Sequence, residues 1–239
     1  MLDFARLSDT GTLSIPDAKA VNPATQATSG LKPAVGSSNG RPTLAFTAAN
    51  GSCISWPVAA NTQGTSKFWF ALWFKATTYP GGARYLLDYG GSTSSYNNMK
   101  AELWLDGNRA AGLLFYGIDT SGYNGRQGKT ANLAMPAAGT WAALFGAFDG
   151  SQATEALRHS FYINWVAQSL TFTNGGASPS APLTLRTTGA IPTLIGNYTN
   201  SSDATLSVDC VLASKIWVGA SAIPSLADAQ RMLDAVKPF

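Results

Sequence analysis

Short apolar runs, each bounded by Gly, Asn, Asp, Ser or Pro, recur along the chain from residue 41 onward. An all-β sandwich or barrel gives this pattern, because its strands are short and its connections are turns. Turn-forming pairs at Asp106-Gly107, Asp149-Gly150 and Asn174-Gly175 support the interpretation. The predicted strands are Pro42–Thr47, Cys53–Pro57, Lys67–Ala76, Ala83–Tyr89, Ala101–Leu105, Ala111–Gly117, Trp141–Asp149, His159–Val166, Leu183–Thr187, Thr193–Gly196 and Val208–Gly219.

The two ends of the chain break this pattern. Residues 1–40 are polar and rich in Pro and Gly, which predicts an N-terminal arm with one short strand near Thr12–Ile15. Residues 41–239 form the predicted sandwich domain. Near the C-terminus, Ser225–Leu233 has helical spacing, so we expect one short helix there. Its apolar face contains Leu226, Ala229, Met232 and Leu233.

Two predicted strands, Phe68–Lys75 and Trp141–Asp149, are apolar on both faces. A strand in a two-layer sandwich needs only one apolar face, which packs on the opposite sheet. The second face of these strands therefore needs a cover. The sequence leaves three candidates for it: the N-terminal arm, the C-terminal helix or another subunit.

Composition and charge narrow the classes of function. Charged residues make up 12% of the 239 residues, about half of the ~25% that is usual in globular proteins. The net charge of +3 comes from scattered Lys and Arg, so we predict no nucleic-acid partner. The longest apolar stretches, such as Phe68–Phe74, are too short to insert across a membrane. The start, Met1-Leu2-Asp3, lacks the basic and apolar regions of a signal peptide.

Several motifs resemble those of a known family. They are ATQATSG at 24–30, NGRPTLAF at 39–46, FWFALWFK at 68–75, GTW at 139–141 leading to FDGS at 148–151, FYINW at 161–165 and LIG at 194–196. Together they resemble the concanavalin A-like lectin/glucanase superfamily and, within it, the laminin-G-like modules of bacterial and phage proteins. Where that family often carries paired histidines, this chain has Ala142 and Ala143. The resemblance implies an all-β, antiparallel jelly-roll sandwich with one concave sheet.

The two cysteines, Cys53 and Cys210, lie too far apart in sequence for CxxC redox or zinc chemistry. They are either two buried thiols or a disulfide, and a strain-free bridge would stabilise the fold by about 5 kcal/mol. The resemblance implies that the first and last core strands are neighbours, which favours the disulfide.

Candidate catalytic groups are scarce. The glucanases of the superfamily use two glutamates around an aspartate on one strand, and such chemistry needs two carboxylates close together. This chain has only Glu102 and Glu155, outside any E-x-D-x-E pattern, and a single histidine, His159, with no G-x-S-x-G motif. His159 alternates with apolar residues, which favours a structural role. We therefore predict that the protein is not an enzyme.

Calcium is the one cofactor that the sequence leaves open. Laminin-G-like modules often hold one calcium ion on loops at the sheet edge. The candidate ligands by position are Asp88, Asp106, Asp119 and Asp149. None lies in a D-x-D-x-D loop, so these aspartates are alternatively turn-capping residues.

Two predicted loops have a composition suited to sugars. The segments 88–98, DYGGSTSSYNN, and 117–128, GIDTSGYNGRQG, combine Tyr with Asn, Asp and Gly. An aromatic face packs on the C–H surface of a sugar ring, while amides and carboxylates bind its hydroxyls. The predicted glycan-binding residues are Tyr89, Tyr96, Asn97, Asn98, Asp119, Tyr123 and Asn124.

Two functional hypotheses follow. The first is a non-catalytic phage virion protein on the capsid or tail surface. It would be made in the host cytoplasm and would contact other virion proteins and copies of itself. Its basis is the low surface charge, the two-sided strands, the N-terminal arm and the missing signal peptide. The alternative is a free, extracellular lectin-like module that binds cell-surface glycans.

Overall fold

The computed structural model describes residues 1–18, 22–57, 65–89, 101–119, 122–174, 193–197, 208–220 and 222–239. In this part of the chain, two antiparallel sheets pack face to face, and one nine-residue helix lies near the C-terminus. The fold is therefore an all-β jelly-roll sandwich with a C-terminal helix, as predicted.

Sheet A has eight strands. They are β1 (Leu2–Asp3), β5 (Ala34–Ser38), β6 (Arg41–Phe46), β8 (Lys67–Ala76), β13 (Ala142–Asp149), β14 (His159–Ile163), β15 (Val166–Ala167) and β18 (Cys210–Gly219). Their order in the sheet is β15-β14-β13-β8-β18-β6-β5, and β1 also pairs with β18. The last strand of the chain thus lies in the interior of sheet A.

Sheet B has ten strands. They are β2 (Ser8–Asp9), β3 (Leu13–Ile15), β4 (Ala24–Gln26), β7 (Ile54–Trp56), β9 (Arg84–Tyr89), β10 (Ala101–Leu105), β11 (Ala111–Asp119), β12 (Gly122–Lys129), β16 (Thr171–Asn174) and β17 (Thr193–Ile195). Their order is β16-β12-β11-β10-β9-β17-β7-β4-β3-β2. The predicted strand Leu183–Thr187 lies outside the described residues.

The N-terminal residues are more regular than predicted. Besides β3, which is the strand predicted near Thr12–Ile15, residues 1–40 contribute β1, β2, β4 and β5, and these strands add to both sheets. The predicted boundary near residue 40 falls inside the β5–β6 hairpin, where Ser38 pairs with Arg41. Strands of two or three residues are too short to give an alternating pattern, so the sequence did not reveal them. Buried Leu2 and Phe4 join this segment to the core.

The predicted strand His159–Val166 is two strands joined by a tight turn. Asn164 and Trp165 both have positive φ, at 49° and 70°, which lets β15 fold back on β14. The Asn164 side chain supports the turn, because its Oδ1 accepts a 2.9 Å hydrogen bond from the Ala143 N–H. Trp165 is a bulky residue in a conformation typical of Gly, so the turn lacks the Asn-Gly pair that would mark it in the sequence.

The main core lies between the sheets. On β8, four alternating side chains point into it, and β10 supplies the opposing layer. The β8 residues are Phe68, Phe70, Leu72 and Phe74. Alternation of this kind places one face of each strand in the core, so the other face of each sheet is an outer face.

The outer face of sheet A carries a second core beneath α2 (Leu226–Asp234). Ala71 and Trp73 of β8 pack there with Ala229 and Leu233 of the helix, and Trp73 Nε1 donates a 2.8 Å hydrogen bond to the Leu233 carbonyl. The helix begins at Ser225, whose Oγ accepts a hydrogen bond from the Asp228 N–H. The predicted helix is confirmed. It is one of the three candidates for the cover of the second apolar face.

Gly146 on β13 allows a close approach between strands. A Cβ at this position would lie 2.4 Å from the Phe70 ring, so we expect Gly146→Ala to destabilise the protein by about 1–3 kcal/mol through overpacking. Urea denaturation measures the effect. Gly30→Ala is the control, because its Cβ would meet nothing within 4 Å. Equal stability of the two variants would contradict the packing described here.

Candidate ligand-binding face

The outer face of sheet B follows from strand alternation. Leu103 and Leu105 of β10 belong to the inter-sheet core, so Glu102 and Trp104 lie on the opposite, outer face. The same argument applies to β17, where Ile195 faces the core and Leu194 faces outward. Strand alternation thus assigns each residue of β10 and β17 either to the core or to the outer face.

A transverse row of register partners crosses this face. It runs from one edge of the sheet to the other through consecutive strand pairs. The row consists of Ser8, Ser14, Thr25, Ser55, Leu194, Asp88, Glu102, Leu114, Gln127 and Thr173. Its first four members carry hydroxyls and are exposed or half-buried. We call these four residues the hydroxyl row; they form a polar, uncharged stretch four strands wide.

Two carboxylates meet at the middle of the transverse row. Asp88 on β9 and Glu102 on β10 are register partners, so their Cβ atoms lie about 5 Å apart. Although both are on the outer face, their exposed fractions are only 0% and 3%, and both interact with neighbouring groups. The accessible part of the transverse row therefore ends before this pair.

An aromatic position lies beside the carboxylates. The Trp104 ring packs over Gly112, where a Cβ would come within 2.0 Å of the ring. Lys129 places its Nζ 5.7 Å from the ring centroid, a cation–π contact. Tyr85 occupies the register position opposite Trp104. Trp104 is only 6% exposed, so its ring offers little surface to a ligand on this face.

The predicted glycan-binding residues fall near one end of sheet B. Tyr89 is the last residue of β9, and it pairs with Ala101 at the start of β10. Asp119 ends β11 and pairs with Gly122. Since β9 to β12 are antiparallel neighbours, the β9–β10 connection and the β11–β12 hairpin tip emerge at the same end. The Asp88–Glu102 pair lies one residue from it.

The segment Gly117–Gly128 is a hairpin and not the predicted loop. Tyr123 pairs with Ile118, and Asn124 pairs with Gly117. The sequence hid this because Gly and polar residues fill these strands in place of an apolar alternation. Tyr96, Asn97 and Asn98 lie outside the described residues, so their assignment stays a prediction.

Two of the four predicted calcium ligands cap turns. Asp106 accepts hydrogen bonds from the N–H groups of Asn108 and Ala110 at 2.9 and 3.0 Å, and it pairs with Lys129 at 2.8 Å. Partial burial alone would raise the pKa of Asp106, but hydrogen bonds from Lys129 and the backbone outweigh it and lower this pKa.

Asp149 is held in the same way. It accepts from Ser151 N–H and Oγ, at 3.1 and 2.6 Å, and from Gln152 Nε2. These bonds outweigh partial burial and lower its pKa. Asp88 and Asp119 are on strands. Among the described residues, no three His, Cys, Asp or Glu side chains form a group that could hold a metal ion.

The single histidine has a structural environment. His159 lies between Phe148 and Phe172, with ring centroids 5.2 and 5.1 Å away, and its Nδ1 is 3.1 Å from the Glu155 carbonyl oxygen. This packing is in line with the predicted structural role. Glu155 belongs to α1 (Glu155–Arg158), a single turn too short to be found from periodicity.

Both cysteines are free, buried thiols in the structure. Cys53 immediately precedes β7 in sheet B and accepts a hydrogen bond from Gln26 Nε2 at 3.3 Å, while Cys210 begins β18 in sheet A. The structure therefore shows two buried thiols, one of the two predicted alternatives, and not a disulfide. Burial raises the pKa of both thiols, and Gln26 offsets part of the effect at Cys53.

Glu102 and Trp104 are the outer-face residues that sequence reasoning missed. A signal was present only for Glu102, which is the one polar residue in the otherwise apolar strand AELWL at 101–105. The pairing of Glu102 with Asp88 could not be read from the sequence, since it depends on the register between β9 and β10.

Comparison with solved structures identifies the architecture. A sialidase from Trypanosoma rangeli, in complex with 2,3-difluorosialic acid, superposes with a TM-score of 0.59 at 15% identity, covering 98% of this chain and 32% of that one. Another structure of this sialidase gives a TM-score of 0.55 at 13% identity, over 96% and 31%. This chain thus spans about a third of the sialidase.

A carbohydrate-binding module of a Ruminococcus gnavus sialidase, CBM40 bound to α2,3 sialyllactose, gives a TM-score of 0.49 at 10% identity, over 84% of this chain and 96% of the module. No family model and no curated protein matches the sequence. The similarity to the sialidase shows the fold alone, a jelly-roll β-sandwich. Within the described residues, no helix is long and apolar enough to cross a membrane.

Removal of the Asp106 carboxylate should destabilise the β10–β11 turn. We expect Asp106→Ala to cost on the order of 1–2 kcal/mol at pH 7, and Asp106→Asn to cost less because the amide oxygen can still accept the backbone hydrogen bonds. The pKa in the folded state is lowered. The stabilisation is therefore complete above the unfolded value of about 3.9 and disappears as the pH falls through the folded pKa. Urea midpoints from pH 7 to pH 2 test this, and a pH-independent difference would contradict it.

The two cysteine thiols should be unreactive toward thiol reagents in the native protein. Because burial raises the pKa of Cys53 and Cys210, we expect no reaction with Ellman's reagent at pH 8 under native conditions. In guanidinium chloride without reductant, both thiols should react. Absence of reactive thiols after unfolding would show that a disulfide forms.

Proposed function

We propose that the protein is a non-catalytic carbohydrate-binding domain whose glycan lies on the outer face of sheet B. The observation that carries the proposal is the hydroxyl row, Ser8, Ser14, Thr25 and Ser55, which crosses four strands and is exposed or half-buried. It leads toward the end of the sheet from which the two Tyr- and Asn-rich segments emerge.

The chemistry of this face suits a neutral or weakly charged glycan. Serine and threonine hydroxyls both donate and accept hydrogen bonds, as sugar hydroxyls do. Half-buried Leu194 continues the row with an apolar surface, which the C–H groups of a sugar can cover. The predicted contact from Tyr123, the register partner of Ile118, would add an aromatic group near the row.

Binding without hydrolysis is the proposed activity. The Asp88 and Glu102 carboxylates lie close together, but exposed fractions of 0% and 3% keep them from a substrate on the surface. A glycosidase needs both carboxyl groups at the scissile bond. We therefore assign them a supporting role beneath the face.

The virion-surface role stays a prediction, as do the laminin-G-like subgroup, the oligomeric state and the localisation. Two of the four arguments for the virion-surface role are explained by contacts within this chain. The N-terminal segment is ordered because its strands pair with both sheets, and α2 covers part of the second apolar face of sheet A. The glycan-binding proposal needs neither argument.

A glycan array with the purified chain tests the proposal, and Ser55→Phe is the informative variant. Its ring would stand at the end of the hydroxyl row that adjoins Leu194, so we expect binding to weaken at least tenfold. Ser37→Phe is the matched control, because Ser37 lies exposed on β5 of sheet A and its variant should bind as the wild type does.

Tyr123→Ala tests the contribution of the hairpin. We expect it to lower the affinity for the best array glycan without abolishing binding, since stacking on one aromatic ring contributes a few kcal/mol at most. A blank array for the folded wild type, or equal binding by Ser55→Phe, would refute the proposed site. Release of reducing sugar would refute the non-catalytic assignment.

A further inference from the structure

A second concave site lies on the opposite side of the sandwich, in the outer face of sheet A. Helix α2 covers only part of this face. Between its first residue, the segment 222–224 and α1, a cleft of about 430 Å³ remains open, a size that falls in the range of small-molecule sites. We call it the sheet A cleft.

The floor of the sheet A cleft is apolar and rigid. Phe145 and Ala147 of β13 form it, and Tyr162 of β14 stacks on Phe145 with ring centroids 5.7 Å apart and an 18° angle between the planes. Phe145 and Tyr162 are register partners, so the pleat fixes both rings. On the α2 side, Ile223 and Leu226 supply a half-buried apolar wall.

The other wall is polar, with donors and acceptors side by side. Lys67 and Asp149 line it as an ion pair with Nζ and Oδ2 3.4 Å apart, and Gln152 and Ser160 contribute an amide and a hydroxyl. The buried Arg158 guanidinium donates to the Gln152 carbonyl and the Glu155 carboxylate at 2.8 and 2.9 Å.

The charges of the cleft are balanced in pairs. Lys67 faces Asp149, and Arg158 faces Glu155. A charged ligand would have to compete with one of these pairs. The Arg158–Glu155 pair is buried, with side chains 0% and 11% exposed, so breaking it is strongly destabilising. The Lys67 side chain is 41% exposed, so its pair with Asp149 contributes little. A neutral ligand can use the outer donors and acceptors and leave both pairs intact.

We propose that the sheet A cleft binds one ring of a neutral saccharide, with its C–H surface toward Tyr162 and the α2 wall and its hydroxyls toward Lys67, Asp149, Gln152 and Ser160. This site is separate from the one on sheet B and does not depend on it. Because the two sites face away from each other, one short glycan cannot occupy both. A single domain with both sites would link two glycan-bearing surfaces.

NMR titration of the uniformly ¹⁵N-labelled chain tests the cleft. The probes are maltose, cellobiose and lactose, with glucose 6-phosphate as the charged comparison. We expect at least one neutral disaccharide to shift the amide signals of Lys67, Ser160 and Ile223, and the sugar phosphate to shift them at least tenfold more weakly at equal concentration.

Ser160→Tyr fills the cleft and should abolish these shifts, whereas Ser37→Tyr on β5 of the same sheet should leave them unchanged. Lys67→Met keeps the alkyl chain, removes the ammonium group and should weaken binding several-fold. A melting curve of each variant shows that it is folded. If a folded Ser160→Tyr variant keeps the shifts, or if no neutral disaccharide shifts the cleft signals, the inference is wrong.

The same titration separates this inference from the proposed function. Shifts in the hydroxyl row without shifts in the cleft would overturn the inference and leave the sheet B site standing. Shifts in the cleft that persist in Ser55→Phe, with none in the hydroxyl row, would support the inference and overturn the sheet B site. Glucose 6-phosphate as the stronger ligand would overturn the neutral-saccharide assignment.

Discussion

The apolar character of both faces of β8 is the constraint on which the fold depends. One face supplies Phe68, Phe70, Leu72 and Phe74 to the inter-sheet core. The other face carries Ala71 and Trp73, which α2 must cover. Burial of a large aromatic side chain stabilises a fold by about 1.5–3 kcal/mol, so neither layer is dispensable. The sandwich and its C-terminal helix therefore stabilise the same central strand from its two faces.

This constraint also explains where ligands can bind. Helix α2 lies over the Trp73 end of sheet A, and a cleft lined by Phe145 and Tyr162 lies beside its first turn. On sheet B, the outer face needs no cover, because small hydroxylated residues replace apolar ones along β2, β3, β4 and β7. One outer face is thus partly closed and aromatic, whereas the other is open and polar.

The sequence predicted the long strands, the helix and the class of fold, because β8 and β13 are long apolar runs between turn signals and α2 has apolar residues at helical spacing. Of β1 to β5 it predicted only β3, since the pairing partners of the others rather than their own residues determine them. Only part of the candidate site could be predicted from the sequence. Tyr89 and Asp88 were singled out from composition, but the row from Ser8 to Ser55 exists only through the register of four strands.

The position of β18 has a consequence for synthesis on the ribosome. This strand is made last among the strands, yet it inserts between β8 and β6, which are made much earlier. Until residues 210–219 leave the exit tunnel, β8 and β6 each present an unpaired edge, the kind of surface that aggregates. Sheet A closes by filling a gap in its interior, so the nascent chain must keep that gap unoccupied until β18 has emerged.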